Sequence, residues 1–116
     1  MDGFIDMHSH ILPNIDDGAE DIDESMEMLN IAAEEGFKYI IATPHYRQGC
    51  SEIFSKKVQE RLDMVNTKAS SQGINLHLYT GCEIYYSEIA LKELSSKSLP
   101  TMAGSRYVLI EFHPIV

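Results

Sequence analysis

The sequence has little cysteine, little positive charge and no long hydrophobic run, and each shortage excludes a class of protein. Two cysteines in 116 residues cannot build a disulfide framework, so reduced thiols in a cytoplasmic protein are the simpler interpretation. Nine basic residues against 18 acidic ones give a net charge of −9, which argues against nucleic-acid binding. No apolar run approaches the roughly 20 residues of a membrane span, and the N-terminus lacks a signal-peptide pattern, so no membrane insertion is expected.

The acidic balance does not exclude an anionic substrate, because bound divalent cations can reverse the local sign of charge.

Hydrophobic side chains recur in two alternating patterns, which predict four strands and three helices. Short apolar runs predict strands at residues 4–7, 39–43, 76–83 and 107–111. Apolar residues at helical spacing predict helices at residues 21–36, 51–72 and 87–95, with Gly36 and Gly73 ending the first two. Strands that alternate with helices pair in parallel, so the pattern indicates an α/β fold, either half of a barrel or a small open sheet.

Individual residues of the predicted helices are expected either to cap a helix end or to pack in the hydrophobic core. Asp21 has the position of an N-cap, and Glu24 is placed to close a capping box with it. In the third helix, Leu91 and Leu94 are expected to point inward. Three methionines are expected to fill the core, namely Met26, Met28 and Met64.

Metal-capable side chains stand at the end of every predicted strand. His8 and His10 follow the first strand, His45 follows the second, and the other two strands end at Glu83 and Glu111. Because sites of α/β folds form at the carboxyl edge of the sheet, we expect these side chains to meet at one rim. Each has a structural alternative when taken alone, such as a loop histidine, a salt bridge or a strand end reaching water. Asp16-Asp17-Gly18 alone is typical of a solvated turn.

The expected ligand set mixes histidine with carboxylate and contains no thiolate. Such a ligand set suits Mn²⁺, Fe²⁺ or Zn²⁺. It does not match a structural zinc site, because structural zinc sites favour cysteine. Carboxylates can also bridge ions, so several metals close together are plausible. A cluster of this kind could generate hydroxide at neutral pH and clamp phosphoryl oxygens.

Five segments together resemble the polymerase-and-histidinol-phosphatase (PHP) superfamily, and within it the manganese-dependent protein-tyrosine phosphatases of bacterial capsule synthesis. The segments are Asp-Met-His-Ser-His-Ile-Leu-Pro at 6–13, Asp-Asp-Gly-Ala at 16–19, Ala-Thr-Pro-His at 42–45, Gly-Cys-Glu-Ile at 81–84 and Val-Leu-Ile-Glu-Phe at 108–112. The resemblance implies the N-terminal half of a distorted (β/α)7 TIM-like barrel of the PHP type, holding up to three divalent ions, usually manganese. It also implies hydrolysis of phosphotyrosine by a metal-bound hydroxide. The substrate would be a cytoplasmic tyrosine kinase that governs polysaccharide export.

The resemblance assigns a role to six metal ligands and to one phosphate contact. His8 and His10 would bind a first metal, which Glu83 would bridge to a second. Glu111 would serve the second metal, and Asp17 with His45 would bind the third. Arg47 is a candidate contact to the substrate phosphate, with an ordinary exposed arginine as the alternative.

The chain departs from the family in length. Family members are about twice as long, and their second half supplies a histidine followed by an arginine and a late Ser-Asp-x-His motif that this sequence lacks. Residues 1–116 are therefore expected to form a single partial domain with weak or no activity alone. We expect it to associate with a second copy or with a separate C-terminal half.

Two other functions stay open from the sequence. One is a histidinol-phosphate or other small phosphomonoester hydrolase, and the other is a non-catalytic assembly module. A cysteine-dependent phosphatase is not expected, because Glu88 and Lys56 stand where arginine would follow Cys82 and Cys50 in the Cys-x5-Arg phosphate loop. Cys82 is instead expected to be a small buried side chain, with His77 structural and His113 a loop residue.

Overall fold

All four predicted strands and all three predicted helices form. The strand predicted at residues 76–83 is broken in two, and a short additional strand follows the one predicted at 39–43. The computed structural model describes residues 3–16 and 18–112. In chain order the elements are β1 (Phe4–Ser9), α1 (Ile22–Glu34), β2 (Phe37–Ala42), β3 (His45–Tyr46), α2 (Ser51–Ser71), β4 (His77–Thr80), β5 (Glu83–Tyr85), α3 (Glu88–Ser95), a 3-10 turn (Met102–Gly104) and β6 (Leu109–Glu111).

The strands form two three-stranded parallel sheets, in the orders β1-β2-β4 and β3-β5-β6. The break between β2 and β3 contains Pro44, which has no N–H to donate to a strand ladder. The break between β4 and β5 contains Gly81, whose Cβ, if present, would lie 2.9 Å from the side chain of Ile41. Across the breaks, the N–H of Glu83 donates to the carbonyl of Pro44 at 2.9 Å. The second sheet therefore continues the first after a change of register.

Helices α1 and α2 cover one face of the first sheet, where their apolar stripes meet strand residues such as Ile40 and Leu78. Helix α3 packs against residues of the second sheet, such as Tyr46 and Ile84. Asp21 caps α1 as predicted, since its carboxylate accepts from the N–H of Glu24 at 2.8 Å. Gly36 and Gly73 follow the first two helices with φ of +96° and +72°, the left-handed conformation that ends a helix. The core beneath α1 and α2 consists mainly of Met26, Leu29, Val58, Leu62, Val65, Ala69, Ile40 and Leu78.

Four expectations about single residues are wrong. The Glu24 carboxylate accepts from Glu20 at 3.4 Å and does not close a capping box with Asp21. Leu91 is 46% exposed, because Ala90 and Leu94 form the narrow inner face of the short α3. Met64 is 43% exposed, because it lies beside the buried stripe of α2 that contains Val65. Tyr107 is exposed, and the last strand begins only at Leu109.

None of the helices within residues 3–16 and 18–112 has both the length and the hydrophobicity needed to cross a bilayer.

Candidate metal centre

The strand ends bring the predicted histidines and glutamates together at one rim of the fold. His8 lies near the end of β1, and His10 follows that strand. His45 and Glu83 begin β3 and β5, where they face each other as paired residues in parallel strands. Glu111 ends β6 opposite Tyr85. The two strand breaks thus place a histidine and a carboxylate side by side at the start of the second sheet.

The Glu83 carboxylate is the centre of this cluster. Its Oε1 lies 3.2 Å from His8 Nε2, 3.2 Å from His10 Nε2 and 3.2 Å from His45 Nδ1. The same oxygen is buried and has no hydrogen-bond partner among the residues that the structure describes. A buried carboxylate oxygen without a hydrogen bond is costly, and a bound cation removes that cost. The donor set therefore fits a divalent metal ion.

Among the residues that the structure describes, the potential ligand atoms fall into three overlapping groups, in each of which they lie within 4.8 Å of one another. The groups share histidines and Glu83, and the rings of His10 and His45 stack with centroids 4.5 Å apart. Mixed imidazole and carboxylate ligation without thiolate is typical of Mn, Fe and catalytic Zn sites. The groups are His8, His10 and Glu83; His10, Asp16 and His45; and His45, Glu83 and Glu111.

Asp16 is a member of the cluster that the sequence analysis did not assign. Its Oδ2 lies 2.9 Å from His10 Nδ1 and accepts from the N–H of His45 at 2.9 Å. Its Oδ1 accepts from the N–H of Gly18 at 2.9 Å. Burial acts to raise the pKa of Asp16, but the hydrogen bonds from His45, Gly18 and His10 outweigh it and hold the pKa below its usual value.

An ionised Asp16 fixes the tautomer of its neighbour. Because the carboxylate only accepts, Nδ1 of His10 carries the proton, and a neutral His10 ring turns the lone pair of Nε2 towards Glu83. This carboxylate–histidine arrangement is the usual outer support of a metal-binding histidine. Asp17, the predicted ligand, lies outside the described residues, and its role stays a prediction.

Arg47 borders the centre. It lines a cavity of about 340 Å³ together with Asp16, His45, Tyr85 and Glu111. Its guanidinium carbon lies 5.2 Å from the centroid of the Tyr85 ring, within cation–π range. A long cationic side chain beside a cluster of carboxylates is well placed to reach an anion bound there.

Neither His77 nor Cys82 is a member of the candidate metal centre. His77 lies at the start of β4, far along the strand from the rim, and stacks on Tyr39 at 6.3 Å. Cys82 is 1% exposed, as expected of a small buried side chain, and its thiol lies 3.5 Å from the carbonyl of Pro100. Burial raises the pKa of Cys82 to about 12, which keeps it a thiol rather than a nucleophilic thiolate. His113 lies outside the described residues.

A parallel α/β fold with histidines and carboxylates converging at its strand ends defines a candidate metal-dependent hydrolase domain. Residues 4–116 match the profile of a family described as capsular polysaccharide synthesis, CpsB/CapC. The chain belongs to the CpsB/CapC family.

Known relatives agree with this assignment. The chain is 39% identical over 109 residues to the tyrosine-protein phosphatase YwqE of Bacillus subtilis, covering 93% of this chain and 42% of the relative. It is 39% identical over 108 residues to the tyrosine-protein phosphatase CpsB of Streptococcus pneumoniae, covering 93% and 44%. Among solved structures, the crystal structures of YwqE and CpsB, described as metal-dependent tyrosine phosphatases, include a chain that superimposes with a TM-score of 0.85. That chain is 38% identical, and the match covers 95% of this chain and 44% of the other. The chain thus spans less than half the length of the curated relatives it matches.

Proposed function

We propose that this chain is the N-terminal, metal-binding half of a divalent-metal-dependent protein-tyrosine phosphatase that acts in capsular or exopolysaccharide synthesis. The observation that carries the proposal is the buried Oε1 of Glu83, which has three imidazole nitrogens at 3.2 Å and no hydrogen-bond partner among residues 3–16 and 18–112. Relatives named tyrosine-protein phosphatases supply the reaction class and favour it over histidinol-phosphate hydrolysis.

The metal ligands follow from the clusters and from the family resemblance. His8 and His10 would hold one ion, Glu83 would be shared with a second that Glu111 also binds, and His45 with Asp17 would hold a third. Manganese is the proposed metal, with iron or zinc as alternatives. When bound, the ions would supply an activated water and neutralise charge on the phosphoryl oxygens.

The protein's own groups would prepare the site for a phosphate ester. Asp16 would hold His10 and the start of β3 in place, so that the ligand atoms need little rearrangement. Arg47 would bind a phosphoryl oxygen at the edge of the cavity. A chain with a net charge of −9 needs such local positive charge to attract a phosphorylated protein. The tyrosine leaving group has a pKa near 10 and departs readily.

The proposed substrate is a phosphotyrosine protein, specifically a bacterial tyrosine kinase of polysaccharide export. The family resemblance implies that these kinases are cytoplasmic, so we also propose a cytoplasmic location for the phosphatase. The complete fold would be the distorted (β/α)7 barrel of the PHP type, of which residues 1–116 form one partial domain.

Hydrolysis of phosphotyrosine peptides is expected to depend on added Mn²⁺ and to stop in excess EDTA. We would assay the chain alone and with the C-terminal portion of Bacillus subtilis YwqE added, and we expect weak or no activity from the chain alone. His10→Ala should remove most of the activity by loosening the metal, by roughly 100-fold or more.

His77→Ala is the matched control, since His77 lies outside the centre and should tolerate alanine with little loss of activity. Phosphoserine peptide and histidinol phosphate test the substrate class. Undiminished phosphotyrosine hydrolysis in EDTA, or a preference for histidinol phosphate, would contradict the proposal.

The chain is also expected to self-associate or to bind a separate C-terminal half. Large apolar side chains stand exposed on the strands and around the rim, including Phe4, Met7, Tyr107 and Phe112. The first sheet has β1 and β4 as its edges, and the second has β3 and β6. Open strand edges beside exposed apolar surface recruit partners, and a two-fold pair is the commonest solution for identical chains.

Light scattering across a concentration series is the measurement, and the apparent mass should rise towards that of a dimer. Adding the YwqE C-terminal portion should compete with this association. A monomer that persists at high concentration and binds no hydrophobic dye would show that the half-barrel interpretation is wrong.

A further inference from the structure

Glu93 on α3 holds the segment that leads from the candidate metal centre to α2. Its Oε2 accepts the hydroxyl of Tyr46 at 2.6 Å and the N–H of Ser51 at 3.1 Å. Its Oε1 accepts the N–H of Gly49 at 2.9 Å. The Tyr46 hydroxyl in turn accepts the N–H of Cys50 at 3.2 Å. One carboxylate and one phenol therefore satisfy three consecutive backbone amides.

These contacts replace a missing local cap. Cys50 is the N-cap of α2 and makes no side-chain capping hydrogen bond. The amides of a first helical turn need an acceptor, and a negative charge is favourable there. Glu93 supplies both from a different helix, 42 residues further along the chain than Ser51.

The hydrogen bond between Tyr46 and Glu93 has a single direction at neutral pH. The hydrogen bond from Tyr46 is the main cause that lowers the pKa of Glu93, so the carboxylate is the acceptor. The Tyr46 hydroxyl is the donor, because an ionised carboxylate can only accept a hydrogen bond. The Tyr46 ring is buried against Phe54, with centroids 4.7 Å apart, which anchors the phenol in the core.

The hydrogen bonds of Glu93 and Tyr46 to each other and to the amides of residues 49–51 are called the brace below, and Tyr46 links this brace to the candidate metal centre. It lies between His45, which faces Glu83, and Arg47, which lies over Tyr85 beside the cavity. Residues 47–50 are all exposed, so packing does little to order them. The conformation of the segment that carries Arg47 therefore depends on the hydrogen bonds at its two ends. The pairing of β3 with β5 holds its beginning, and Glu93 and Tyr46 hold the amides of Gly49, Cys50 and Ser51 at its end.

We propose that Glu93 and Tyr46 are positioning residues that hold Arg47 at the phosphate side of the cavity, without themselves contacting substrate or metal. The inference rests on the proposed function in one respect, namely that Arg47 binds the phosphate of the substrate. The brace itself is a property of the described chain, and it can be tested separately.

The first test measures the order of the segment and is independent of any function. Trypsin cleaves after arginine, so its rate of cleavage between Arg47 and Gln48 in the native chain reports local opening. Glu93→Gln and Tyr46→Phe are expected to raise that rate on the order of tenfold, because a charge-assisted hydrogen bond is lost. Glu88→Gln, the same substitution at an exposed site on α3, is the matched control and should leave the rate unchanged. Unchanged cleavage in both brace variants would overturn the proposal.

The second test is a double-mutant cycle read by calorimetry with phenyl phosphate on the Mn²⁺-loaded chain. Each brace variant should weaken phenyl phosphate binding on the order of tenfold, close to the effect of Arg47→Ala, while Mn²⁺ affinity stays within about twofold. In the Arg47→Ala background, Glu93→Gln should cause no further loss. Additive losses would mean that Glu93 affects phenyl phosphate binding independently of Arg47 and would overturn the proposal.

The two tests separate this inference from the proposed function. A parent chain that binds Mn²⁺ but no phenyl phosphate would count against the proposed function of the site. In that case the cleavage rates alone decide whether Glu93 and Tyr46 hold the segment.

Discussion

Replacing Glu83 with glutamine is expected to abolish divalent-metal binding and yet leave the metal-free protein as stable as the parent or more so. In the parent, the buried Oε1 has three imidazole nitrogens at 3.2 Å and no hydrogen-bond partner within the described part of the chain. Burying a carboxylate in this state opposes folding by about 1–3 kcal/mol. The amide of glutamine carries no charge and can donate to an imidazole nitrogen, so the metal-free variant loses that penalty.

Thermal unfolding with and without Mn²⁺ measures both effects, at pH 8 so that protons compete little for the histidines. A ligand at 100 times its Kd stabilises the folded state by about 2.7 kcal/mol, and this gain should appear in the parent and vanish in Glu83→Gln. Glu111→Gln should show a smaller loss, because Glu111 is half exposed and its Oε2 lies 3.6 Å from His45. Equal Mn²⁺ stabilisation of the parent and of Glu83→Gln would show that the ion does not sit at this carboxylate.

Replacing Gly18 with alanine is expected to disrupt the candidate metal centre through a steric clash. A Cβ at this position would lie 2.0 Å from the carbonyl oxygen of His10 and 2.8 Å from its Cβ. The backbone at residue 18 must therefore move away from His10. This movement displaces the N–H of Gly18, which donates to Asp16, and the N–H of Ala19, which donates to the His10 carbonyl. We expect a loss of about 3 kcal/mol in the free energy of unfolding, at the upper end for overpacking. Mn²⁺ affinity should fall at least tenfold, since His10 loses its orientation.

Gly73→Ala is the matched control for this substitution. Gly73 has a φ of +72° and nothing within 4 Å of an added Cβ, so alanine there meets strain but no collision. It should lower the free energy of unfolding by about 1 kcal/mol and leave Mn²⁺ affinity unchanged. If Gly18→Ala behaves like Gly73→Ala in both measurements, the close approach of residue 18 to His10 is not a requirement of the site.

Features that depend on local pattern were predictable from the sequence. The apolar stripes of α1 and α2 and the glycines that end them are set within a few residues, and the structure confirms them. The meeting of His8, His10, His45, Glu83 and Glu111 was also predictable, because parallel strands in an alternating α/β chain deliver their carboxyl ends to one edge. The motifs around these residues were specific enough to indicate the family, which the comparison with known proteins confirms.

Features that depend on contacts between distant segments were decided only by the tertiary structure. Spacing alone could not single out Asp16, because its position is set by the N–H of His45, 29 residues away. No local signal marks Glu93, because its partners Tyr46 and Ser51 are 47 and 42 residues distant. The close approach of Gly81, at the break between β4 and β5, to Ile41 exists only once β2 and β4 pair. The sequence by itself determined that His8, His10, His45, Glu83 and Glu111 reach the rim, since strands that alternate with helices run parallel and end at the same edge. The three-dimensional packing decided how those side chains are held, since their supports come from segments that meet only when the chain has folded.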